Sequence, residues 1–153
     1  MSEISKVIVF QLKNQQYGVD IQQVRSIEKL QNITEIPNTP DFIKGVINLR
    51  SEVIAIIDLR ERLHINKTDI TDHTRILIVS INNVQIGLIV DSATEVMDID
   101  PAVIDPSPEI VGEIDVTFVK GVAKLEDRLL ILLDLARVLS FKELDEVKEV
   151  VAD

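Results

Sequence analysis

The sequence contains no cysteine, no tryptophan, one tyrosine and two histidines among its 153 residues. The absence of cysteine excludes disulfides, thiolate metal sites and a cysteine nucleophile together, and it fits a reducing compartment. His64 and His73 are too few for a histidine-rich metal site, and both fall in a polar stretch between apolar runs, so exposed loop positions are expected. Aromatics are only 3% of the chain while hydrophobic residues are 46%, so the interior must be packed with Ile, Val and Leu, a composition that favours strands. No apolar run approaches the roughly 20 residues of a membrane helix, and residues 1–6 lack the basic start and apolar stretch of a signal peptide. The expectation is a soluble cytoplasmic protein with no direct membrane insertion.

Positive charge is also scarce. Sixteen Lys and Arg stand against 26 Asp and Glu, a formal net charge of −10. That balance opposes nucleic acid or an anionic membrane as the main partner, since either would be repelled at long range. Part of the acidic excess lies at Glu143, Asp145, Glu146, Glu149 and Asp153, which read as one solvated face of a helix.

Nothing assembles into a reaction centre. The five glycines are isolated, so no phosphate-cradling loop exists, and no serine sits in a Gly-x-Ser-x-Gly elbow. Asp58 and Asp134 occupy similar contexts and could meet as a carboxylate pair, but each precedes a short Leu-containing segment and reads better as the cap of a turn. Asp98 and Asp100 lack the ligand ladder and glycine of a calcium loop. The expectation is no enzyme, no cofactor and no metal.

What the chain does have is a copy of itself. Shifted by 69, residues 7–30 lie over residues 76–99 with apolar on apolar at eleven positions, and Asn14, Gln16 and Gly18 meet Asn83, Gln85 and Gly87. Shifted by 76, residues 42–63 lie over residues 118–139 with eight of 22 positions identical, including Phe-x-Lys-Gly-Val and a later Asp-Leu. The difference between the shifts is absorbed by the proline-containing connector 100–117. The chain thus divides into pseudo-repeat halves at about 7–63 and 76–139, within a single domain.

Each half predicts a hairpin with a polar tip (strands about 6–12 and 17–21, then 75–81 and 84–90), followed by a segment opening on an Asp N-cap, 20–24 or 91–95, with a helical turn. A second tight hairpin follows, with tips at Arg50-Ser51 and Glu126-Asp127. Asp58 to Glu61 and Ser140 to Glu143 have capping-box spacing. Leu144, Val147 and Val151 then recur on one face, predicting an amphipathic C-terminal helix over 140–153 whose stripe docks on the chain's own core. Connections are too short for crossover helices, so the fold class is all-β with short helices. About five strands per half, with antiparallel neighbours, would close into two five-stranded β-barrels packed side by side, with one sandwich as the alternative.

Phe10-x-Leu12, Tyr17-Gly-Val-Asp-Ile-x-x-Val24, Ile36-Pro-x-x-Pro-x-Phe-Ile-Lys-Gly-Val-Ile-Asn-Leu-Arg50, Ile56-Ile-Asp-Leu-Arg60, Gly87-Leu-Ile-Val-Asp91, Gly121-Val-Ala-Lys-Leu and Leu130-Ile-Leu-Leu-Asp134 form an ordered set. In that order the motifs resemble the CheW family, the adaptors of bacterial chemotaxis, from Val7 to about Leu139. The resemblance implies two intertwined five-stranded barrels and a non-catalytic role coupling the cytoplasmic tip of methyl-accepting chemoreceptors to the regulatory domain of the histidine kinase CheA. The chain would then be recruited to membrane-associated receptor arrays. It places partner contacts at Val24, Ser26 and Ile27, with Gly45, Val46 and Arg50 nearby. Many relatives carry Glu where this chain has Ser26, with Glu28 close by to supply the charge, Gly where it has Ser51, and Pro where it has Ala55. Because Glu126 stands where the first half has Arg50, the fold accepts either sign of charge at that tip, and Arg50 reads as a contact residue. The competing reading is a β-barrel sensor module of a two-component system that holds a small ligand; it requires convergent polar groups, whereas the repeat supplies mainly aliphatic ones.

Overall fold

The computed structural model describes residues 5–65, 69–106 and 116–151. The first hairpin is β1 (Ser5–Leu12) and β2 (Gln15–Asp20), and its repeat is β6 (Arg75–Ile81) and β7 (Val84–Val90). The second hairpin is β4 (Ile43–Leu49) and β5 (Glu52–Asp58), repeated as β10 (Val119–Lys124) and β11 (Leu129–Leu133). Between them lie β3 (Val24–Lys29), β8 (Ser92–Ile99) and the two-residue β9 (Ile104–Asp105). The helices are the single turn α1 (Leu59–Arg62) and α2 (Phe141–Val151), with short 3₁₀ turns elsewhere.

The strands form two sheets, of order β8-β1-β2-β11-β10-β9 and β3-β6-β7-β5-β4. The halves therefore exchange their first hairpins: β1 and β2 of the first half complete the sheet of the second, and β6 and β7 complete the sheet of the first. The expectation that each half builds its own sheet from its own strands does not hold, because alternating apolar character specifies a face and says nothing of the neighbour. The expectation of antiparallel neighbours fails at one ladder in each sheet. β2 runs parallel to β11 with Gly18 opposite Leu132, and β7 runs parallel to β5 with Gly87 opposite Ile56. These are the same junction twice, since 18 plus 69 is 87 and 132 minus 76 is 56. Both glycines leave room for the facing side chain: a Cβ would lie 3.0 Å from Leu132 Cδ2 at Gly18 and 2.5 Å from Ile56 Cδ1 at Gly87.

Neither sheet closes its ladder into a five-stranded barrel among the described residues. Each nevertheless rolls toward itself. Met97 and Ile99 of one edge strand share a cluster with Ile104 of the opposite edge, over Val7, Val9, Ala123, Leu130 and Leu132. In the other sheet, Thr34 beyond β3 bridges Val46 on the far edge strand. Between the two sheets lies the largest core, where Phe10 stacks on its cross-strand partner Tyr17 at 5.8 Å and aliphatic side chains fill the rest.

Local chemistry explains the ends of elements. Ser140 and Glu143 form a reciprocal capping box, each backbone N–H donating to the other's side chain at 2.9 and 3.1 Å. Leu144 and Val147 of α2 are buried in the central core, as the apolar stripe predicts. Asp20 caps a 3₁₀ turn over Ile21–Gln23. Asp91 does not cap a helix: β8 begins at the next residue, because Ser92 and Ala93 pair with Gln11 and Phe10, and a ladder outweighs a weak helical preference. Asp100 caps the 3₁₀ turn Pro101–Val103 at the start of the long connector. Residues 107–115 of that connector, Gly112 among them, lie outside the described residues.

Candidate functional site: the β3 edge and the Arg50 tip

β3 is an edge strand, so one side of its backbone faces away from the ladder. Its pairing with β6 breaks between Val24 and Ser26, which makes Arg25 the extra residue of a bulge. The bulge sets the faces. Val24 and Ile27 pair opposite Val79 and Leu77, on the side of the central core, while Ser26 and Glu28 pair opposite Ile78 and Ile76, inside the roll. Val24 packs against the central core, whereas Ile27 is 42% exposed. An aliphatic side chain left uncovered beside a half-buried one is a natural contact point for another protein.

Arg50 and Ser51 form the two-residue turn of the β4–β5 hairpin, both with left-handed φ (50° and 71°). The tip reaches the opposite edge of the sheet, where Arg50 Nη2 donates to Glu28 Oε2 at 3.3 Å. Glu28 is largely covered there and the Arg50 side chain is 70% exposed. Glu28 thus supplies a carboxylate to Arg50 from two residues beyond Ser26. Ser26, Arg25 and Arg50 line a depression of about 150 Å³ with Glu52 and Gln85, which are themselves joined at 2.8 Å.

Gly45 and Val46 sit elsewhere. The β4–β5 register shifts between Ile43 and Gly45, Gly45 has φ +149°, and a Cβ there would lie 2.4 Å from the Thr34 carbonyl oxygen. Val46 exchanges two backbone hydrogen bonds with Thr34, each 2.9 Å. Both residues are thereby occupied by the roll of the sheet. Of the six residues singled out in the sequence, Ile27 and Arg50 present exposed side chains at the β3 edge, while Ser26 is half-buried in the depression on the other face and Val24 is half-buried against the central core.

Sequence reasoning missed a buried ionic cluster. Arg60 is almost wholly buried; its Nε and Nη2 donate to the two carboxylate oxygens of Asp58 at 3.0 Å each, and its Nη1 donates to Asp91 at 2.9 Å. Hydrogen bonding to Asp58 raises the Arg60 pKa above its ordinary value, against the desolvation that lowers it. Asp58 also caps α1 through the Arg60 N–H, as expected of it, and Asp134 caps its own turn through the Ala136 N–H. The signal was present as an arginine three residues after the apolar run Ile54-Ala-Ile-Ile57 and two after Asp58, where a charge demands a partner. His64 and His73 are both exposed.

A family model described as CheW-like domain matches residues 6–143. The chain belongs to the CheW-like family. It is 40% identical to the chemotaxis protein CheW of Bacillus subtilis over 134 residues, 88% of this chain and 86% of that one. It is 34% identical to CheW of Klebsiella aerogenes over 94% of its own length and 86% of the relative's. Among solved structures, the scaffolding protein TtCheW of Thermoanaerobacter tengcongensis superposes with a TM-score of 0.81 at 41% identity, covering 90% of this chain and 89% of that one. The match to CheW-like proteins embraces both sheets, the β3 edge and the start of α2. Among the described residues no helix is long and apolar enough to cross a membrane.

Proposed function

We propose that the chain is a non-catalytic chemotaxis adaptor that couples methyl-accepting chemoreceptors to the regulatory domain of CheA, with β3 and the Arg50 tip as its receptor-facing surface. The observation that carries this is the extent of the match: identity with a chemotaxis CheW at 40% runs across nearly the whole of both chains. In this reading the chain acts as one domain of two pseudo-repeat halves. Each rolled sheet corresponds to one of the family's barrels, with the Thr34–Val46 bridge and the two-residue β9, the sixth strand of its sheet, as contacts toward closure. The chain works in the cytoplasm, recruited to receptor arrays. An edge strand with an exposed aliphatic, Ile27, on one face and Arg25 and Arg50 lining a depression on the other offers a partner both apolar and charged contacts.

Reconstitution tests the function. The chain should raise CheA activity only when receptor is present, because an adaptor acts through the effective concentration of what it brings together. Equal activation with receptor omitted would rule out bridging. In the same assay Arg50→Ala should weaken assembly at least roughly tenfold, about 1.4 kcal/mol, while the melting temperature stays unchanged. The exposed Arg50–Glu28 pair contributes only about 0–1 kcal/mol to stability. Glu126→Ala, at the equivalent tip, is the control. Loss of fold with Arg50→Ala would place the contact surface elsewhere.

A further inference from the structure

The chain passes from one sheet to the other at two places, between β2 and β3 and between β7 and β8. The two crossovers are related by the repeat, but they are built differently. At the second, Asp91 is fixed from three sides. Its carboxylate accepts from Arg60 Nη1 and from the backbone N–H of Lys13 at the tip of the β1–β2 hairpin, and its own N–H donates to the Gln11 carbonyl at 3.0 Å. Arg60 in turn is clamped by Asp58 at the end of β5. One ionic cluster therefore ties both sheets and α1 together at this point.

The repeat carries no counterpart of that cluster at the first crossover. Gln22 stands where the second half has Asp91 (22 plus 69), and Ala136 stands where the first half has Arg60 (60 plus 76). The chain there makes the 3₁₀ turn Ile21–Gln23, held locally by Asp20, whose carboxylate accepts from the Gln22 N–H at 2.9 Å, and by the Val24 N–H bonding to the Ile21 carbonyl. None of its residues is fully buried. The turn touches the central core through a half-buried aliphatic, Ile21, which can slide as the turn deforms; an ionic cluster spanning both sheets cannot yield in that way, because separating its members leaves buried charges unpaired.

From this difference we infer that the Ile21–Gln23 crossover is the pivot on which the two sheets adjust when a partner binds at β3, and that Arg60 and Asp91 are positioning residues that hold the opposite crossover fixed. Val24 and Ile27, the residues of β3 on the central-core side, follow the pivot directly, so occupation of that face bears on the turn. The inference rests on β3 being a partner surface only for its functional half; the mechanical half concerns the free protein.

Amide hydrogen exchange on the full chain reads both crossovers. In the unaltered protein the Val24 amide should exchange at least tenfold faster than the Asp91 amide. Asp91→Asn should speed exchange at residue 91 and at Lys13 at least tenfold, with a change at Val24 of less than about threefold. Grafting the missing cluster with Gln22→Asp and Ala136→Arg should slow Val24. Similar rates at the two crossovers in the unaltered protein would overturn the pivot without any variant. A uniform rise across the molecule in Asp91→Asn would reduce the cluster to a contribution to global stability. Should Asp91→Asn not fold, Arg60→Lys, which keeps the charge with fewer donors, should shift exchange in the same direction. Affinity for a receptor-tip fragment separates the two readings: the Gln22→Asp, Ala136→Arg graft, which stiffens the turn beside β3, should change it at least threefold. Unchanged affinity with altered exchange sinks β3 as the coupled surface and leaves the pivot standing, whereas unchanged exchange sinks the pivot.

Discussion

Gly45 and Ser51 have backbone conformations that L side chains resist, with opposite consequences for substitution. At Gly45 the left-handed φ coincides with a Cβ position only 2.4 Å from a carbonyl oxygen and 2.9 Å from its carbon, both backbone atoms of Thr34. Gly45→Ala should therefore cost at least about 2–3 kcal/mol. At the exposed tip, Ser51 has φ +71°, so Ser51→Gly relieves the left-handed penalty and should stabilise by roughly 0.5–1 kcal/mol. Denaturant midpoints of the two variants should move in opposite directions. Tyr17 adds a titration: burial pushes its phenol up to about 12 from 10.0. The protonated form is favoured in the folded protein, so this contribution to stability is complete below pH 10 and is lost as pH rises through about 12. As the chain has one tyrosine, absorbance of the phenolate should report that single group, and a midpoint near 10 in folded protein would contradict its burial.

Among the elements, α2 offers a separation of capping from packing. Ser140→Ala removes one half of the capping box and should cost about 1 kcal/mol; Leu144→Ala, which empties a position 3% exposed in the central core, should cost about 2–5 kcal/mol. A melt in which the cap change matched the core change would mean that the helix is held by its own ends. The hairpins and this helix were legible in the sequence because period and turn chemistry are local. The bulge at Arg25 was not, although it decides which of Val24, Ser26 and Ile27 share a face: an extra residue leaves no mark in apolar alternation. Asp91 was misread for a related reason. An aspartate before small polar residues looks the same whether it caps a helix or receives an arginine, and only the distant partner tells them apart. All six proposed contact residues came from resemblance; at two of them, Gly45 and Val46, the backbone is engaged by Thr34 in the roll of the sheet.

For the whole molecule, the duplication was visible in the residues, whereas the intertwining of the halves came only with the resemblance, since strand pairing across the repeat depends on which half each sheet edge meets. The exchange makes each half incomplete. Residues 1–67 alone lack β6 and β7, on which β3 and β5 depend, and residues 68–153 lack β1 and β2. Either fragment by itself should give circular dichroism without a cooperative melt, and the two mixed should recover one. A cooperative melt from a single fragment would show that the sheet tolerates loss of its exchanged pair.

The exchange also sets a timetable for synthesis. Gln15 at the start of β2 meets Leu129 at the start of β11, 114 residues later, so at about 5–20 residues per second β2 waits roughly 6–23 s on the ribosome for that strand to be made. Through that interval its outward edge, carrying Tyr17, Gly18 and Val19, has no native neighbour. The nascent chain is therefore exposed to mispairing at the β1–β2 hairpin, made well before its sheet partners β8 and β11, and a holding chaperone would act there.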